Sequence, residues 1–205
     1  QTISISSKIK KIQPVLIMGG KAWHFANHKY NKWKDSLNQQ IKKHNYSDKI
    51  FISFGEIDCR KDEGILTYTE KNDKDFVEVC EKTLTDFLNY METILSTNYS
   101  KRYYFGIPAP KSKEKLSNEL DRKRVEIIKI YNSLYKKKVL SRGSYFIDVY
   151  HLTSSSNGEN NNIHMCDNNH LSPKSISILL KKYLYKPWDF GKNSLKELDI
   201  QTRFN

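Results

Sequence analysis

The chain is short of cysteine, of long apolar runs and of paired metal-ligand motifs, and each shortage excludes a class of protein. Cys59, Cys80 and Cys166 are the only cysteines in 205 residues. Three scattered thiols do not make a disulfide framework, which favours an intracellular, reducing setting. No apolar run reaches the roughly 18 residues of a membrane-spanning helix. The opening stretch QTISISSKIKK lacks the apolar centre of a secretion signal. There is no CxxC pair, and no motif asks for a cofactor or metal. A zinc reading from His164, Cys166 and His170 with Cys59 or Asp58 lacks the paired motif that would complete it. Cys59 and Cys166 have no nucleophile motif around them.

Positive charge is in excess, with a formal net charge of +12. The lysines are scattered in short runs, as Lys42-Lys43, Lys136 to Lys138 and Lys181-Lys182. Such runs read as solvated helix faces rather than a nucleic-acid footprint, while leaving an attraction for acidic surfaces and anionic substrates. The apolar fraction is only 38%, but 12% of residues are aromatic, enough for a core built from Phe, Tyr and Trp.

Strand and helix patterns alternate along one domain covering residues 1–205, closed by a polar tail over 188–205. Strands are expected at PVLIM (14–18), KIFISFG (49–55), YYFGIPAP (103–110) and SYFIDVY (144–150). Helices are expected over 29–44, 74–96, about 115–140, and from Pro173 to Tyr185 with Ser172 as its N-cap. Buried strands separated by helices imply a mostly parallel sheet covered on both faces. In such sheets the site lies beyond the carboxyl ends of the strands. GGKAW (19–23), GEIDCR (55–60), PAPK (108–111) and the loop after Asp148 all leave those ends, and CDNNH (166–170) closes that loop.

Each cluster has a plain reading. Glu56, Asp58 and Arg60 are placed to neutralise one another around a turn at Gly55, or to line a cleft. Gly19-Gly20 marks a strand-to-loop turn, or offers a backbone N–H to an oxyanion. Lys21 and His24 read as surface residues. Asp167 and His170, three apart before a capped helix, form an Asn-rich turn or hold a histidine for catalysis.

Taken together, ISFGEIDCR, YYFGIPAP, YNSLY, YFIDVYHL and CDNNHLS resemble the SGNH (GDSL-like) hydrolases, over roughly residues 14–185. The resemblance is closest to the branch whose third block reads FGEIDCR. It implies a three-layer α/β/α flavodoxin-like fold and esterase or acyl-transfer chemistry on acyl groups, such as acetyl, of a carbohydrate or lipid. It makes His170 the general base and Asp167 its orienting carboxylate, with Gly20, Gly55, Glu56, Asp58 and Arg60 shaping the oxyanion region. Where the family's third block usually carries Asn, this chain has Ile57. The family's Gly-Asp-Ser block is not visible. VLIMGGKAW lies about one helix before GEIDCR and fits the second block, so the expectation places block one, with its strand and serine, upstream of Gln1. Asp35-Ser36-Leu37 falls inside an expected helix, and Ser4, Ser6 and Ser7 precede no helix. ISIS (3–6) or residues before Gln1 are expected to fill the first strand's place. The alternative is a catalytically inactive relative that binds a glycan or a protein partner, perhaps inside a larger assembly.

Overall fold

Three short strands carry the fold of the computed structural model, which describes residues 2–5, 8–11, 13–44, 49–95, 99–111, 119–167 and 169–185. After the hairpin of β1 (Thr2–Ile5) and β2 (Lys8–Lys11), the main-sheet strands are β3 (Lys49–Ile52), β4 (Lys101–Phe105) and β5 (Tyr145–Ile147). They pair in parallel in the order β3-β4-β5, with Phe51 opposite Tyr103 and Tyr103 opposite Tyr145. Thr2–Ile5 pairs with Lys8–Lys11 in an antiparallel hairpin separate from this sheet. ISIS therefore does not fill a place beside β3.

Because successive side chains on a strand point to opposite faces, the three strands sort their residues into two apolar layers. Ile50, Ile52, Tyr104 and Phe146 join one layer; Phe51, Tyr103, Phe105, Tyr145 and Ile147 join the other. The helices follow the same division. The first layer packs against α1 (Ala22–Ala26), α2 (Lys32–Lys43), α3 (Ile65–Asn72), α4 (Phe76–Leu95) and α5 (Glu119–Ser141). The second packs against α6 (Val149–Thr153) and α7 (Pro173–Tyr185) through Val149, Leu179 and Leu180. The result is an α/β protein with a parallel sheet between helical layers. On the α7 side the register stacks aromatic rings across all three strands, with Phe51–Tyr103 at 4.8 Å and Tyr103–Tyr145 at 4.7 Å between centroids.

Several elements differ from the sequence expectation. PVLIM is not a strand: residues 13–17 are irregular, and Leu16 and Met18 are 78% and 80% exposed. An apolar run becomes a strand only when a neighbour takes its backbone hydrogen bonds, and among the described residues 14–18 have no such neighbour. The fourth expected strand ends at Ile147, because the Asp148 carboxylate accepts the His151 N–H at 3.0 Å and starts a short helix instead. α7 begins at Pro173 as expected, with Ser172 Oγ accepting the Ser175 N–H. The polar tail from 188 lies outside the described residues, as does the expected helix start before 119. Among the described residues no helix is long and apolar enough to cross a membrane.

Candidate functional site

The candidate residues form two groups, one in the segment after β3 and one in the segment after β5, the two outer strands of the described sheet. GEIDCR follows β3, CDNNH lies in the segment after β5, and β4 runs between them.

The first group is built tightly. A 3-10 turn, Ile57–Cys59, directs Asp58 inward until it is 2% exposed. Its carboxylate accepts the N–H of Ala22 at 2.8 Å and of Trp23 at 3.0 Å, which are the first two amides of α1. Helix starts leave such donors unpaired, and a buried carboxylate satisfies them. Asp58 thus clamps GGKAW onto GEIDCR. Burial raises its pKa, and the Trp23 and Ala22 amides only partly offset this. Glu56 and Arg60 hold each other through three contacts of 2.8 to 3.2 Å. Arg60 also reaches Glu63, Glu63 reaches Lys21, and Arg124 from α5 approaches Glu56 at 3.5 Å. Gly55 has φ +114, and a Cβ there would sit 2.7 Å from the Tyr131 hydroxyl, so only glycine lets the turn close against α5. The Gly20 N–H is engaged with the Ile17 carbonyl at 3.1 Å, and a Cβ at Gly20 would meet Phe54 at 2.9 Å.

The second group is open. Asp167 Oδ1 accepts the N–H of Asn169 at 2.7 Å and of His170 at 2.8 Å, while Oδ2 lies 2.7 Å from His170 Nδ1. The backbone turn therefore fixes the carboxylate, and the carboxylate fixes the imidazole. The Asn169 amide, then the His170 ring, hold the Asp167 pKa down to about 2. An ionised partner at Nδ1 selects the tautomer with a free Nε2 and stabilises an imidazolium. Yet the His170 and Asp167 side chains are 74% and 54% exposed, so neither is walled off from water.

Other chemistry-bearing residues are occupied elsewhere. Cys59 and Cys80 are buried; burial pushes both thiols up, Cys80 to about 12, which removes them as nucleophiles. Cys166 is exposed but directs its S–H to the His170 carbonyl at 3.4 Å rather than to the ring. His164 Nδ1 meets Ser175 Oγ at 3.0 Å, a serine–histidine contact, but that hydroxyl is buried and shared with Ser172 in the α7 cap. Among the described residues no group of three His, Cys, Asp or Glu side chains is arranged to hold a metal.

Two residues read as surface are not free. Lys21 pairs with Glu63, and His24 is buried, its ring stacked on Trp33 at 3.5 Å with 7° between planes. His24 and His28 stand four apart, the spacing of a metal-binding pair on a helix, but His24 Nδ1 accepts the Lys21 N–H at 3.1 Å. The interleaving of aromatic and basic residues in WHFANHKYNKWK (23–34) was the available sequence signal for this cluster.

No protein-family model matches the chain, and no curated protein matches it.

Proposed function

We propose that the chain is an SGNH-type serine esterase or acyl-transfer domain in which His170 is the general base and Asp167 its orienting carboxylate. The observation that carries this reading is the 2.7 Å contact between Asp167 Oδ2 and His170 Nδ1, on an aspartate fixed by two backbone amides. In the proposed reaction His170 Nε2 takes the proton of a serine hydroxyl as its oxygen bonds to the ester carbonyl carbon. The proton passes to the leaving alcohol when the old C–O bond breaks. Water then releases the acid by the same route in reverse.

The serine in this proposal belongs to a strand and turn upstream of Gln1. This is supported by β3 being an outer strand of the described sheet and by the exposure of the apolar Val15, Leu16 and Met18. The test is fluorophosphonate labelling of the natural full-length protein, followed by mapping of the labelled peptide. Labelling of one serine upstream of Gln1, lost in His170→Ala, is the expected result. A labelled serine unaffected by His170→Ala sinks the assignment.

A second reading is favoured by the exposure of Asp167 and His170 and by the engaged Gly20 N–H. It is a non-catalytic module that binds a glycan or protein in the same cleft. Complete absence of labelling selects it.

A further inference from the structure

Between α4 and α5 opens a cleft of about 290 Å³. One wall is Leu134, Lys137, Lys138 and Ser141 of α5, three or four residues apart and so on one helix face, with Arg142 just past its end. The other wall is Glu81 and Thr85 of α4, four apart. Three cations and one carboxylate therefore line one small space. α5 ends at Ser141 and β5 begins at Tyr145, so that end of the cleft lies by the strand starts, away from the segments that follow β3 and β5.

The cations differ in what they already do. Arg142 donates to Asn89 Oδ1 and to the Lys138 carbonyl, each at 3.0 Å, and its Nε stands 3.4 Å from Glu92. It ties α5 to α4, closes the cleft at that end, and meets a carbonyl that the last turn of α5 leaves open. Lys137 and Lys138 have no such work: among the described residues their ammonium groups make no hydrogen bond or ion pair, and neither pairs with Glu81. The Thr85 and Ser141 hydroxyls donate to the carbonyls of Glu81 and Lys138, at 2.7 and 3.0 Å, so the two lysines are the donors left for a ligand.

These walls select the ligand. Ammonium groups are compact charges with three donors each, and two of them on one turn match a single dianionic group. Leu134, half-buried against the core, adds an apolar wall for an organic substituent. Nucleic acid calls for cations along a row of phosphates; here the Arg142 bridge closes the cleft and Glu81 repels a second phosphate.

We propose that the cleft between α4 and α5 binds a small phosphate monoester, with its phosphate on Lys137 and Lys138 and its organic group against Leu134. The site is separate from the Asp167–His170 pair and does not depend on the esterase reading. The probe is phenyl phosphate, titrated into the natural full-length protein and followed by amide chemical shifts, with inorganic phosphate and phenyl sulfate as comparisons. Phenyl phosphate is expected to shift amides of α4 and α5 around Thr85 and Ser141, and to bind more tightly than either comparison. Lys137→Ala combined with Lys138→Ala should weaken it about tenfold, the loss of two partly exposed charge pairs. Glu81→Gln removes the repelling carboxylate and should tighten it about threefold. The proposal is overturned if the double lysine variant, still folded by circular dichroism, binds as wild type does, or if the shifts fall outside α4 and α5. Phenyl sulfate binding equally well would remove the need for a dianion, and inorganic phosphate binding equally well would remove the part played by Leu134. Either result overturns the assignment to a phosphate monoester.

Discussion

Asp58 and Asp167 accept the same kind of bond, two backbone amides on one carboxylate, and end with pKa shifts of opposite sign. Asp58, buried beneath α1, is raised; Asp167, in water, is held down to about 2. The difference teaches that solvent, not the amides, decides the direction: burial penalises the charge more than two amides repay. It also separates architecture from chemistry. The β3 side is an interlocked structure, and the segment after β5 holds an Asp167–His170 pair exposed to water.

The comparison breaks most visibly if the two aspartates are removed. Asp58→Ala strands two amides of α1 and should lower unfolding free energy by about 3 kcal/mol, whereas Asp167→Ala, whose turn lies in water, should lower the urea midpoint far less. Equal losses would show that the Asp167 turn is structural. Gly55→Ala comes next. A side chain at φ +114 against the Tyr131 hydroxyl and Ile107 should cost about 2 kcal/mol in the same urea titration.

A finer test uses pH. His24 has its pKa lowered to about 4 from 6.5, by burial first and then by Lys21 and Lys32. Between those values the unfolded imidazole binds a proton and the folded one does not, so His24 contributes a loss of stability as pH falls from 6.5 to about 4. Asp58 works the other way, because the folded state keeps its proton to higher pH. His24→Gln retains an acceptor for the Lys21 amide and should flatten the wild-type slope in that window. An unchanged slope would mean that the ring is not shielded. The smallest effect belongs to Tyr131→Phe. The Tyr131 hydroxyl is buried with no hydrogen-bond partner among the described residues, so removing it should leave stability unchanged or raise it by about 1 kcal/mol.

Much of the fold was legible because its signals are local. KIFI, KRYYF and YFI are runs that pack on both faces, and α4 and α7 carry helical spacing and a Ser-Pro start. PVLIM carries the same signal as those strands and is irregular, because composition does not say whether a partner strand is present. α6 was hidden in SYFIDVY, where Val149 and Tyr150 favour a strand until Asp148 caps the turn. At the site, the Asp167–His170 pair was readable because both partners lie within one turn. The clamp of Asp58 on α1 spans 36 residues of sequence and the Trp33–Met18 bond spans 15, and no local pattern encodes either.

The central claim is that His170 acts as a base oriented by Asp167, and kcat/KM for p-nitrophenyl acetate tests it most directly, measured on the natural full-length protein and on His170→Ala. The account predicts hydrolysis by the wild type and a fall of at least about a thousandfold in the variant. Equal activity in the two proteins would contradict it.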